Sequence, residues 1–207
     1  MSHIHIRSTQ IDAARSLWEQ VPSWVGSYRA LHVLAIRLPD RDIDSCFLKV
    51  VAIDGLYNTF IYDRWGMAQH LASVPANSYV PESPDLVERL AYFGGKHYRS
   101  FASKYAHFFV DSERYPIWDQ YVLRSLAHHR GSRKIWPSSY DEFCKWLLEV
   151  GQQCEEPLTC KEIDQYLWIS GMYRQFKDDK KKQLSNDAKD LFQLSDSETA
   201  GLLQMLL

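Results

Sequence analysis

The sequence predicts an all-α protein of about nine to eleven short helices. Apolar residues recur every three or four positions through most of the 207-residue chain, which is the period of an amphipathic helix. Several helix starts carry Ser or Thr followed three residues later by Glu, the capping-box pattern. The one stretch that resembles a strand, residues 33–38, has no alternating partner and is therefore expected to be helical.

The individual helices follow from these caps and from the Pro and Gly breaks between them. We expect a single domain over residues 1–207, with a charged connector at about 177–187 before one C-terminal helix. The periodicity predicts helices at about 9–20, 42–62, 63–73, 99–109 and 119–129. Further starts are predicted at Ser83-Pro84-Asp85, Ser139-Tyr-Asp-Glu142, Thr159-Cys-Lys-Glu162 and Ser195-Asp-Ser-Glu198.

Composition excludes several classes of protein. No apolar run approaches the roughly 20 residues that a membrane span needs, and the N-terminus has no apolar signal core. A cytoplasmic monomer without membrane contact is therefore expected. The four cysteines form no C-x-x-C pair, and His128 and His129 are adjacent, which is a poor chelating geometry. Neither a metal nor another cofactor is expected.

The charge is unevenly distributed although the net charge is only −2. Residues 96–134 contain eight Lys or Arg against three Asp or Glu, a formal charge of +5, so the remainder carries −7. Such a basic segment is typical of a phosphate-binding face. A solvated helical surface is the alternative. The best candidates for phosphate contacts are Lys96, Arg99, Arg130, Arg133 and Lys134.

The segment 93–129 combines several features that point to chemistry. Gly94-Gly95 precedes the predicted helix that carries Lys104-Tyr105-Ala106. Pro116-Ile117-Trp118-Asp119 follows, and Asp119 stands where the next helix should have its N-cap. This order resembles the catalytic core of the helix–hairpin–helix DNA glycosylases, in which a Gly-rich hairpin, a Lys-x-Ala helix and a helix-capping Asp follow one another. The resemblance covers about 37 residues and, because the endonuclease III type of iron–sulfur motif is absent, lies nearer to the 8-oxoguanine branch.

The resemblance implies specific roles for two residues. Breaking an N-glycosidic bond leaves positive charge on the sugar, and Asp119 would stabilise that charge as a carboxylate kept ionised by the helix dipole. The amine of Lys104 would attack the sugar C1′ and form a Schiff base that permits strand cleavage. A water-using enzyme would need Asp119 alone. Outside the family context, Asp119 would be an ordinary cap and Lys104 a solvated side chain.

A glycosylase also flips its target base out of the duplex into an aromatic or apolar pocket. The resemblance suggests Asn58 as a residue that probes the gap left by that base, and a buried structural amide is the alternative. Each candidate wall residue would otherwise belong to the core. The pocket candidates are Trp118, Tyr98, Tyr105, Phe108 and Trp168.

The expected substrate is double-stranded DNA containing a damaged or modified base. One version is repair of 8-oxoguanine with lyase activity, and another is defence against phage DNA with hypermodified bases such as glucosylated hydroxymethylcytosine. A non-catalytic helical DNA-binding module and a protein-interaction or toxin-like domain are the alternatives. Neither a Gly-x-x-x-x-Gly-Lys nor a Gly-x-Ser-x-Gly motif is present, which argues against nucleotide triphosphatase and serine hydrolase chemistry.

Overall fold

The computed structural model describes residues 5–79, 85–178, 184–193 and 196–207. Within these residues it contains eleven α-helices, a short 3-10 helix and one two-stranded sheet, so the helical class is confirmed. The helices are α1 (Ser8–Glu19), α2 (Pro22–Arg37), α3 (Ile43–Tyr57), α4 (Arg64–Ser73), α5 (Leu86–Ala91), α6 (Arg99–Phe109), α7 (Gln120–His129), α8 (Tyr140–Gly151), α9 (Cys160–Asp178), α10 (Asn186–Gln193) and α11 (Ser197–Met205). The 3-10 helix is Ala76–Tyr79, and the strands are β1 (Tyr92–Phe93) and β2 (Lys96–His97).

The described residues fall into two compact units, each discontinuous in sequence. Unit 1 comprises those within 1–26, 119–138 and 142–207, and unit 2 comprises those within 27–118 and 139–141. The single domain expected from the sequence stays a prediction. None of the described helices has both the length and the apolar character of a membrane span.

Unit 1 is organised around α9. Helices α1, α7 and α10 pack on α9, and α11 packs on α1. The predicted capping box at the start of α9 is confirmed, because Glu162 accepts from the Thr159 N–H and Thr159 Oγ1 accepts from the Glu162 N–H. Its core is formed by buried aliphatic and aromatic side chains, including Leu17, Leu123, Leu126, Tyr166, Leu167, Ile169 and Leu203.

Unit 2 packs α3 against α4 and α6, and α5 against α6. The two strands form an antiparallel hairpin between α5 and α6, with Tyr92 opposite His97 and Phe93 opposite Lys96. Its two-residue turn uses Gly94 and Gly95 with φ of 57° and 76°, which a residue with a Cβ atom adopts poorly. Val50, Ile53, Leu71, Leu90, Phe101 and Tyr105 lie in the core of this unit.

The C-terminal region departs from the sequence-based prediction. Two helices, α10 and α11, replace the single one, and both ends of the connector expected at 177–187 are helical. The α11 cap is Asp196, whose carboxylate accepts from the Thr199 N–H, because this residue and not Ser195 directly precedes the helix. Ser195, Ser83 and Pro84 lie outside the described residues.

Helix α3 ends earlier than predicted, and a structured loop separates it from α4. Asn58 occupies a left-handed C-cap with φ 49°, so it is an exposed loop residue rather than part of a helix over 42–62. The buried carboxylate of Asp54 holds the loop by accepting from Thr59 Oγ1, the Ile61 N–H and Arg64 Nε at 2.8–3.0 Å. Because the Asp54 carboxylate accepts the Ile61 N–H, that N–H does not donate to a helix carbonyl oxygen, and the helical hydrogen-bond pattern ends before it.

Asp54→Asn is expected to lower the free energy of unfolding by about 2 kcal/mol, because an amide replaces one acceptor oxygen with a donor facing N–H groups. Burial raises the pKa of Asp54, but the hydrogen bonds from Ile61, Arg64 and Thr59 lower it by more, so the folded pKa lies below 3.8. The stabilisation is therefore complete above that value and is lost as pH falls through the folded pKa.

Urea unfolding followed by circular dichroism at pH 7 and below pH 4 would measure the Asp54 effect. Asp63→Asn is the matched control, because Asp63 caps α4 through the Gly66 N–H and Asn is an equally good cap. Equal midpoints for the two variants at pH 7 would show that Asp54 does not hold this loop.

Candidate functional site

Lys104 lies in the middle of α6 in unit 2, where residues 101–108 are all buried, and 2% of its surface is exposed. Its Nζ donates to Ser100 Oγ at 2.9 Å and to the Ser100 carbonyl oxygen at 3.4 Å, one helical turn earlier. The same atom lies 5.6 Å from the centre of the Tyr57 ring. A lysine so enclosed is uncommon, since lysine ordinarily keeps its ammonium group in water. Lys104 is therefore not the solvated side chain that a lone lysine in a helix would ordinarily be.

Aromatic rings from three helices of unit 2 surround the end of α6 next to Lys104. Phe108 is their centre, with ring centroids of Tyr28, His32 and Tyr57 at 5.3, 5.4 and 5.9 Å. His107 lies 4.8 Å from Phe108 and 6.1 Å from Tyr28. We call Tyr28, His32, Tyr57, His107 and Phe108 the aromatic cluster. Its half-buried members Tyr28, His32 and Tyr57 offer planar apolar surface of the kind on which nucleobases stack.

The segment that follows α6 is fixed onto that helix by hydrogen bonds. His107 donates from Nδ1 to the carbonyl oxygen of Tyr115 at 3.0 Å, and the Trp118 N–H donates to Ser103 Oγ at 2.9 Å. The Tyr140 hydroxyl donates to the carbonyl oxygen of Pro116 at 2.7 Å. The Pro-Ile-Trp part of the sequence motif is thus anchored to the helix that carries Lys104.

Asp119 is the N-cap of α7 in unit 1, as predicted. Its backbone is extended, with φ −130° and ψ 149°, and its carboxylate accepts from the Tyr121 N–H at 2.8 Å. The side chain is half-buried. The geometry is compatible with both a structural cap and the electrostatic role implied by the resemblance.

The other predicted pocket residues occupy different surroundings. Tyr105 is buried in the core of unit 2 with its hydroxyl 3.6 Å from Cys46 Sγ, and burial raises its pKa, so the phenol stays protonated. Tyr98 occupies the N-cap position of α6 without a capping bond from its side chain and is half-buried, while Trp118 is buried with the Arg99 guanidinium 5.4 Å from its ring centre. Only Phe108 among the predicted wall residues belongs to the aromatic cluster.

Trp168 belongs to unit 1, where it is half-buried in a group of three tryptophans. Its ring centre lies 4.8 Å from that of Trp24 and 5.6 Å from that of Trp18, both in edge-to-face geometry. Aromatic pairs of this kind stabilise a core beyond the area they bury. The observed contacts of Trp168 are therefore packing contacts within unit 1.

Three of the five predicted phosphate-binding residues form ion pairs within the protein. Arg99 contacts Glu88 at 2.8 Å, Arg130 contacts Glu149 at 3.0 Å and Lys134 contacts Glu142 at 2.7 Å. Arg130 and Lys134 also lie 4.0 and 5.3 Å from the ring centre of Trp146. These pairs offset much of the positive charge of residues 96–134. Lys96 and Arg133 are exposed, and their contacts with a phosphate backbone stay a prediction.

Sequence reasoning missed Tyr28, His32 and Tyr57. Tyr28 and His32 are one turn apart on α2, a spacing that the sequence does show, but nothing in the sequence connects that helix to α6. Across the described residues, no group of three or more His, Cys, Asp or Glu side chains is arranged to hold a metal ion. The four cysteines are free thiols.

One comparison with known proteins gives a match. The family model HI_0787_N, described as an N-terminal domain, matches residues 10–113, a range that includes Lys104 and the aromatic cluster but not Asp119. No curated protein and no solved structure matches the chain. Because the matched range is half of the 207 residues, the chain belongs to the HI_0787_N family.

Proposed function

We propose that the protein is a DNA N-glycosylase that excises a damaged or modified base from double-stranded DNA. Lys104 is the amine nucleophile, and Asp119 is the carboxylate that stabilises the cationic sugar. The observation that carries the proposal is the enclosed Lys104 amine beside the aromatic cluster of unit 2. The sequence order of Gly-rich turn, Lys-x-Ala and helix-capping Asp supports it independently.

The chemistry assigns a task to each of these groups. The Lys104 nitrogen forms a bond to C1′ while the bond from C1′ to the base nitrogen breaks, and the base departs with that electron pair and gains a proton. The resulting N,O-acetal loses an amine proton, its C1′–O4′ bond then breaks as O4′ gains a proton, and the protonated imine that forms permits β-elimination of the 3′-phosphate, which cleaves the strand. The extrahelical base would stack on half-buried rings such as Tyr28 and Tyr57. A hypermodified phage base is the proposed substrate in a defence role, and an oxidised purine is its counterpart in repair.

The decisive experiment incubates the purified protein with plasmid and phage DNAs that differ in base modification, followed by heating in alkali. We expect breaks in one class of DNA and their loss, by about a hundredfold or more, in Asp119→Asn. Asparagine is as good an N-cap as aspartate, so this substitution removes the charge without removing the cap. The DNA that breaks would identify the class of base.

Asp196→Asn provides the matched control, because Asp196 caps α11 through the Thr199 N–H in the same manner. It should leave the breaks unchanged. Intact DNA in every substrate, together with salt-sensitive binding that survives Asp119→Asn, would contradict the glycosylase and support a non-catalytic DNA-binding module. The absence of both cleavage and DNA binding would contradict both functions.

A further inference from the structure

Helix α2 carries two exposed positive charges. Its residues, Pro22–Arg37, include Arg29 and Arg37 but no Asp or Glu. Both arginines are exposed, and neither guanidinium group has an ion-pair or hydrogen-bond partner among the residues that the structure describes. In this they differ from the three cations of residues 96–134 that pair with glutamates. The charge of α2 is therefore available to an external anion.

The two arginines belong to one face of α2, within unit 2. Successive helical residues are rotated by about 100°, which places four exposed side chains within a sector of about 100°. In order around the helix, these are Ile36, Arg29, Val33 and Arg37. The Cα atoms of the two arginines are separated by about 12 Å along the axis. The face is therefore a row of positive charge with apolar side chains between, and not a pocket for a single anion.

The aromatic cluster adjoins this face on the same helix. Tyr28 and His32 lie one turn apart at the edge of the face next to Ile36, and their ring centroids are 4.5 Å apart. The His32 ring lies 5.4 Å from that of Phe108 at the end of α6. Helix α2 thus presents guanidinium groups and half-buried aromatic rings side by side.

This combination fits a polymer that alternates phosphates with planar bases. Guanidinium groups bind phosphate oxygens through pairs of parallel hydrogen bonds, and aromatic rings stack on bases. An anionic membrane is a poorer fit, because an interfacial helix needs a broad apolar face. Helix α2, all of which the structure describes, exposes two large apolar side chains, Val33 (49%) and Ile36 (78%).

We infer that the exposed face of α2 binds the sugar–phosphate backbone of DNA. Arg29 and Arg37 contact separate phosphates of one strand, and Tyr28 and His32 face its bases. The inference rests on the part of the proposed function that makes DNA the ligand, and it does not require base excision. It places phosphate contacts on a helix outside the basic segment 96–134, to which the sequence assigned them.

Binding of a short unmodified DNA duplex, followed by fluorescence anisotropy at several salt concentrations, tests this inference separately from excision. Arg29→Gln and Arg37→Gln are each expected to reduce the slope of log affinity against log salt by about 0.9. The double variant should raise the Kd by about tenfold or more. Because Arg and Gln have similar helix propensities, the thermal unfolding curves should be unchanged.

Lys177→Gln is the matched control for these variants. Lys177 is an exposed cation in the last turn of α9, as Arg37 is in the last turn of α2. Its substitution should leave both the Kd and the salt dependence unchanged. On DNA that the wild type cleaves, the double variant should raise KM by the same factor as Kd and leave kcat within about twofold.

The outcomes separate this inference from the proposed function. Equal Kd and salt dependence in the wild type and the double variant, with excision retained, would overturn the inference alone. Binding that requires Arg29 and Arg37 without excision of any base would support the inference and contradict the glycosylase. Equal weakening by Lys177→Gln, or binding to vesicles of anionic phospholipid in place of DNA, would overturn the inference. A wild type without any affinity for DNA would overturn both.

Discussion

Lys104→Gln is expected to abolish the covalent adduct that borohydride traps between the protein and its DNA substrate. Borohydride reduces the imine formed between an amine and C1′, so trapping reports the nucleophile directly. Strand breaks that form without alkali should disappear as well, and the rate of base excision should fall by about three orders of magnitude. Glutamine is similar to lysine in length and retains a donor for Ser100 Oγ, which limits disturbance of α6.

Lys49→Gln is the internal control for this experiment. Lys49 is as deeply buried as Lys104 in the same unit, but its Nζ donates to the carbonyl oxygen of Asp40. Burial lowers the pKa of Lys49, which favours the neutral, nucleophilic form of this second buried amine of unit 2. Retained trapping in Lys49→Gln and lost trapping in Lys104→Gln would assign the nucleophile.

Two other outcomes of the trapping experiment would contradict the role given to Lys104, each in a different way. If trapping were lost in Lys49→Gln and retained in Lys104→Gln, the reacting amine would be Lys49 in α3 and not Lys104 in α6. Excision without any trapping in the wild type, unaffected by Lys104→Gln, would identify a water-using glycosylase in which Lys104 is a structural residue. Either result would overturn the role given to Lys104 without removing the role given to Asp119.

Features determined by nearby residues were predictable from the sequence. The start of α9 depends on Thr159 and Glu162, which are three residues apart, and the cap of α7 depends on Asp119 alone. The bounds of α6 agree with the prediction from the period of its apolar side chains, although residues 101–108 are buried on every face of the helix. These features are predictable because the interactions that create them join residues within one or two helical turns of each other.

Features that depend on tertiary contacts could not be predicted in this way. Ile61 continues the apolar period of α3, so the sequence predicts helix up to residue 62. The chain instead turns at Asn58, because the carboxylate of Asp54 holds the Thr59 hydroxyl and the Ile61 N–H. Nothing in the local pattern distinguishes a buried Asp54 that accepts these bonds from a solvated aspartate on a helix surface.

The candidate site also combines residues that local sequence motifs indicate with residues that only tertiary packing brings together. Lys104 and Asp119 were selected from the sequence because each belongs to a short motif with a chemical role, and those roles stay predictions. Tyr28, His32 and Tyr57 were missed because they reach Phe108 from α2 and α3, and the packing of those helices against α6 is set by the whole of unit 2. Conversely, Tyr105 was selected for its place beside Lys104 in sequence, although successive helical residues point in different directions.

Helix α9 lies very close to the backbone of α7 at Gly171 in unit 1. A Cβ atom at this position would collide with the backbone carbonyl group of Tyr121, lying 2.7 Å from its carbon atom and closer still to its oxygen. One turn along the interface, the hydroxyl groups of Ser125 and Ser170 lie 2.7 Å apart. The two helices therefore meet through small side chains, and this contact fixes the distance between their axes.

Gly171→Ala is accordingly expected to lower the free energy of unfolding by more than about 3 kcal/mol, because a backbone carbonyl cannot move aside as a flexible side chain does. Helix propensity alone predicts the opposite sign, since Ala is favoured over Gly inside a helix by about 1 kcal/mol. A lower stability of Gly171→Ala would show that the backbone contact dominates, and a higher stability would show that helix propensity dominates.

Urea unfolding of Gly171→Ala and Gly201→Ala, followed by far-ultraviolet circular dichroism, makes this comparison within one unit. Gly201 lies in α11, and a Cβ atom there would meet no atom within 4 Å, so Gly201→Ala should unfold at an equal or higher urea concentration. If Gly171→Ala were as stable as Gly201→Ala, the backbones of α7 and α9 would have to lie farther apart than this structure has them. His129 and Tyr166, joined by a 3.0 Å hydrogen bond across the same two helices, would then lose the geometry that satisfies both side chains.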